Sequence, residues 1–191
     1  SEPRLASVLA SRLLRPNVLD EGLRSGLFLA RNPDSDCWDV LVPDLVTALK
    51  CLGAQVILVD LADYRAVSLE TLRRKLFAEL RALDGKVSSS EHAEQGVTGE
   101  ETLAALIGRV VELGGRDLVV ILDHVRRLRG RSGSQLLKAL KAARDAVNLR
   151  PEATRYFVLV ATDIDATAVR ELAMDSSQAF YGATIEDLPQ I

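Results

Sequence analysis

Residues 117–123 read Asp-Leu-Val-Val-Ile-Leu-Asp, an unbroken apolar run with a carboxylate at each end. A run without polar alternation is the pattern of a strand covered on both faces. Two other stretches share this character, residues 55–61 (QVILVDL) and residues 155–161 (RYFVLVA), and a shorter one lies upstream at residues 27–30 (LFLA). Between these runs the apolar residues fall at helical spacing. Leu41, Leu45, Leu49 and Leu52 share one helix face, and Leu69, Leu72, Leu76 and Leu80 share another. The same pattern predicts helices over 5–14, 100–113, 134–147 and 166–174, and the short apolar stretch 178–181 is read as a further strand. Asp84 and Gly85 are expected to end the helix that starts at Ser68. Residues 86–98 are expected to form a polar, mobile loop, and residues 125–133 a basic loop containing glycine.

Short buried strands alternating with longer helices predict an α/β protein. The expected architecture is a three-layer αβα sandwich around a mainly parallel sheet of about five strands. Ligands of such sheets gather beyond the carboxyl ends of the strands. The loops at 31–40, 61–67, 124–133 and 162–165 therefore form the candidate functional edge.

Bulk composition narrows the function classes. A chain of 191 residues is expected to make one domain. Its net charge of −3 argues against a whole-surface affinity for nucleic acid or anionic lipid. With 4% aromatic residues it lacks the stacking platforms of single-strand binders. No apolar run approaches the ~20 residues of a bilayer span, so no membrane partner is expected. Residues 1–16 lack the pattern of a signal peptide, and a cytoplasmic location is the default expectation. Cys37 and Cys51 make neither a disulfide framework nor a cysteine metal site.

Two strand ends carry polar chemistry. One strand finishes in Asp123, followed by His124; another finishes in Ala161, Thr162 and Asp163. An apolar strand ending in Asp resembles a Walker B magnesium ligand, and a small polar residue at a strand end resembles a sensor position. By order and spacing, nearly the whole chain resembles the AAA-type P-loop ATPases, in particular small bacterial and archaeal AAA-like ATPases. Residues 6–20 resemble the helix and lead-in before the first strand, and residues 26–30 that strand. Residues 41–49 resemble the helix after the phosphate loop, and residues 55–60 the second strand. Residues 119–123 resemble Walker B, and residues 140–148 and 158–163 the next helix and the sensor strand. Residues 180–182 and 187–189 resemble the exit segment. The resemblance implies a single P-loop NTPase-like core without the family's C-terminal helical lid.

The phosphate loop departs from this pattern. The family motif is Gly-x-x-x-x-Gly-Lys-Ser/Thr; here the window reads Arg31, Asn32, Pro33, Asp34, Ser35, Asp36, Cys37, Trp38. Arg31 and Asp36 stand where the glycines would be, Cys37 replaces the lysine, and Trp38 replaces the hydroxyl residue. Glycines let the backbone turn its N–H groups around a phosphate, and the lysine neutralises it. Carboxylates at Asp34, Asp36 and Asp39 act the opposite way: one such charge about 4 Å from a phosphate costs about 4 kcal/mol at an effective dielectric of ~20. The family's catalytic glutamate after Walker B is replaced by His124. The degenerate loop (Arg31, Ser35, Asp36, Cys37, Trp38) and His124 together imply a pseudo-ATPase without a resident cofactor, used for protein interaction, regulation or self-association.

Two alternatives stay open. One is a divergent ATPase that holds ATP and magnesium through Asp123 and the 124–133 loop. The other is a nucleic-acid adaptor using a basic patch of Arg126, Arg127, Arg129 and Arg131, which also carries charge complementary to the acidic 34–39 segment. The remaining residues read as ordinary. His92 is expected at the surface, Cys51 near a helix end, and Trp38 packed into the former phosphate cleft. Thr162 and Asp163 are expected to cap the helix beginning at Ala166.

Overall fold

The computed structural model describes residues 2–14, 26–30, 38–65, 68–87, 102–175, 177–180 and 183–187. The chain is a mixed α/β protein built on a parallel sheet. Its strands are β1 (Leu27–Ala30), β2 (Gln55–Asp60), β3 (Leu118–Asp123), β4 (Phe157–Asp163) and β5 (Thr184–Asp187). The helices are α1 (Glu2–Leu14), α2 (Trp38–Cys51), α3 (Leu69–Val87), α4 (Leu103–Gly114), α5 (Arg131–Asn148) and α6 (Ala166–Met174). Four strands in the order β2-β3-β4-β1 form the body of the sheet, and the short β5 pairs with the outer side of β1.

Alternation along the strands sorts the core into two compartments. Leu27, Leu29, Val119, Ile121, Val158 and Val160 point to one face, here the front, against Ala6, Leu9, Leu45 and Leu49 of α1 and α2. Phe28, Val120, Leu122, Leu159 and Ala161 point to the back, where α3, α4, α5 and α6 cover them. The connection from β1 to β2 runs along the sheet in one direction through α2. Every later connection runs the other way through back-face helices. Right-handed crossovers require this exchange of faces when the direction of travel reverses. β1 and β4 are neighbours whose following helices lie on opposite faces, so the sheet has its switch point between them.

Local chemistry sets the helix ends. Thr102 accepts a hydrogen bond from the Ala105 N–H and starts α4; Gly115, at φ 58°, ends it by donating its N–H to Val111 and Glu112. Several sequence expectations are corrected. Asp84 and Gly85 do not end α3, which runs on to Val87. A mid-helix glycine costs only about 1 kcal/mol, and the apolar face at Leu72, Leu76 and Leu80 is anchored upstream. Residues 88–98 of the expected loop lie outside the described residues. The basic loop is shorter than expected, because Arg131 and Gly133 already belong to α5. Gly133 is required there: a Cβ would sit 1.7 Å from the Leu128 carbonyl oxygen. The last strand among the described residues is Thr184–Asp187, and residues 178–180 of the expected strand form a turn instead. Phe180 instead packs its ring 5.8 Å from that of Phe28, under the Arg144 guanidinium.

Candidate functional site

Strand register brings three polar side chains into one row at the carboxyl edge. Asp60 of β2 is level with Asp123 of β3, and Asp123 is level with Thr162 of β4. Val59, Leu122 and Ala161, one residue earlier, belong to the back core, so all three polar residues face the front. Thr162 donates its hydroxyl to Oδ1 of Asp123 at 2.8 Å. The backbone N–H of His124 donates to the same oxygen at 2.8 Å.

His124 leaves the strand in the left-handed conformation, with φ 58° and ψ 49°. It is the one non-glycine residue at positive φ among the described residues. A side chain in this region is disfavoured by about 1 kcal/mol, so the surroundings must hold it. The turn folds the imidazole back over the row. Its Nδ1 lies 2.6 Å from Oδ1 of Asp60 and 3.6 Å from Oδ2 of Asp123. An ionised carboxylate only accepts, so Nδ1 carries the proton in this arrangement. Oδ1 of Asp60 also accepts the Ala62 N–H at 2.9 Å, which caps the 3-10 turn at Leu61–Asp63. The three side chains are partly open to solvent: Asp60 is 35% exposed, His124 30% and Asp123 17%.

Asp163 belongs to a different environment. It points to the back and is fully buried. Its carboxylate accepts the backbone N–H groups of Arg126 at 2.8 Å and Asp165 at 2.9 Å. The Arg126 guanidinium adds a contact at 3.5 Å. The expectation that Thr162 and Asp163 cap α6 is corrected: Asp165 is the cap, accepting from the N–H groups of Thr167 and Ala168. The cap must sit immediately before the first helical turn, and β4 carries Thr162 and Asp163 within the sheet.

The arginines after β3 also turn to the back. Arg127 donates to the carbonyl oxygens of Tyr64 and Arg65. Arg129 lies 3.7 Å from Asp165 and 3.6 Å from Glu171. Arg131 is the first residue of α5 and is exposed. Arg31, Asp34, Ser35, Asp36 and Cys37 lie outside the described residues, as do the side chains of Trp38 and Asp39.

Sequence reasoning singled out Asp123, His124 and Thr162 but missed Asp60. The available signal was the parallel between two runs: both 55–60 and 118–123 are apolar and finish in Asp.

The sequence matches no family model and no curated protein. Among solved structures, the Walker-type ATPase of Pyrococcus abyssi is similar with a TM-score of 0.56 and 18% sequence identity. The likeness covers 93% of this chain and 51% of that one, so the chain spans about half the length of that protein. What the two share is the α/β fold.

Proposed function

We propose that this chain is an AAA-like P-loop NTPase domain, a three-layer αβα sandwich, that no longer turns over ATP and serves as a protein-interaction or regulatory module. The carrying observation is the division of charge at the carboxyl edge. The carboxylates of Asp60 and Asp123 line the front, while the described contacts of Arg126, Arg127 and Arg129 are with back-side groups. A magnesium nucleotide needs cationic donors beside the magnesium ligand. The described front row offers only His124 in that role, already shared by two carboxylates. The sequence window 31–38 supplies neither glycine nor lysine. On this reading the row and the 31–38 window hold no magnesium nucleotide.

The partner in this reading is a protein or a second copy of the chain. The acidic 34–39 segment and the half-exposed Arg126 and Arg129 supply complementary charges for such contacts. A second reading, a divergent ATPase acting through Asp123 and the 124–133 loop, is favoured by one observation. The Asp123–Thr162 hydrogen bond keeps the Walker B-like and sensor-like positions coupled.

Calorimetric titration with ATP, with and without magnesium, separates the two. The proposal expects no binding. Micromolar affinity that Asp123→Asn abolishes would overturn it and establish the second reading. Light scattering across a concentration series then tests self-association.

A further inference from the structure

We propose that Asp60, Asp123 and His124 form a binding site for a divalent transition-metal ion, independent of any nucleotide. The donor set is one imidazole nitrogen and two carboxylates, whose ligand atoms all lie within 4.8 Å of one another. Three protein ligands with a fourth position left to water is the composition of open zinc sites. Magnesium is a poorer match, because it prefers an all-oxygen octahedral shell and the central group here is an imidazole.

Distances support the assignment. Metal–ligand bonds of about 2.0–2.1 Å in a tetrahedral site place neighbouring ligand atoms about 3.3 Å apart. Here Nδ1 of His124 lies 2.6 Å from the Asp60 oxygen and 3.6 Å from the Asp123 oxygen. These two edges straddle the tetrahedral value, so a cation is accommodated when the first opens by about 0.7 Å and the second closes by about 0.3 Å. The 2.6 Å edge is a hydrogen bond whose proton occupies the place the metal would take. A metal bound there displaces that proton and takes the Nδ1 lone pair.

The ligands are held from outside the cluster. Thr162 and the His124 N–H both occupy Oδ1 of Asp123, which leaves Oδ2 as the ligand atom. The Ala62 N–H fixes the Asp60 carboxylate. Supporting bonds of this kind orient metal ligands and raise affinity about 10- to 100-fold. Charge points the same way. Among the described residues, neither Asp60 nor Asp123 has an ion-pair partner besides His124. Two carboxylates sharing one imidazole leave net negative charge, which a divalent ion neutralises.

The test is calorimetric titration of the whole chain with zinc in a non-chelating buffer, beginning from protein treated with EDTA. One zinc per chain is expected. His124→Ala and Asp60→Asn should each weaken binding by more than about 100-fold, and His92→Ala should leave it unchanged. Zinc binding that survives both His124→Ala and Asp60→Asn, or absence of binding to the unaltered chain, overturns the proposal. A second measurement needs no variant and covers the case of a variant that fails to fold. Cobalt(II) added to the unaltered protein should displace the NMR signals of the His124 imidazole and spare those of His92. Displacement confined to His92, or to neither ring, also overturns it.

Discussion

The two sides of the sheet's carboxyl edge use the same residue types to opposite ends. On the back, Asp163 is fully buried, and its oxygens are met by two backbone N–H groups and a guanidinium. On the front, Asp60 and Asp123 are partly open and share one imidazole. A carboxylate whose every oxygen is satisfied inside the fold supports the fold. A pair of carboxylates left short of positive charge is instead available to a ligand. Position in the strand decides which of the two an aspartate becomes, because Thr162 and Asp163 are adjacent in sequence and face opposite ways.

The contrast breaks most decisively at Asp163. Replacing it with alanine orphans the N–H groups of Arg126 and Asp165, and urea denaturation should report a loss of about 3–5 kcal/mol. A loss below about 1 kcal/mol would erase the distinction between the sides. Thr162→Val should have a smaller effect. It removes the single hydroxyl donated to Asp123 and should lower stability by about 1 kcal/mol in the same assay. Arg129→Ala should be smallest, within about 0.5 kcal/mol, because its contacts at 3.6–3.7 Å lie on a side chain that is 59% exposed. A larger change would mean that the exposed arginines help to hold the back-side network together.

The parts of this arrangement differ in how far they could be read from sequence. The continuous apolar runs locate β2, β3 and β4; β3 and β4 are buried on both faces, which removes polar residues from a strand, whereas β2 lies at the sheet edge with Leu58 exposed. Residues 184–187 (TIED) have no such run, so the sequence carries no signal for β5, and the apolar stretch before it fits a strand better by pattern. Asp123 stood out through its strand and through His124. Asp60 did not, since its partner His124 lies 64 residues away and the two meet only through the pairing of β2 with β3. The left-handed turn at His124 had no signal either, because glycine or asparagine is the usual marker of that conformation. The split of Thr162 from Asp163 became visible only once β4 was known to continue through both.

Hydrogen bonding between parallel strands fixes the pitch of the front row at about 4.8 Å per strand. That pitch comes from main-chain geometry, so it survives any exchange of the side chains mounted on it. A single replacement at position 60, 123 or 162 therefore alters the chemistry of the row without moving the main chain of its neighbours. Such an edge can pass from holding one kind of ion to holding another, or none, through point substitutions alone, while the β-sheet beneath keeps its shape.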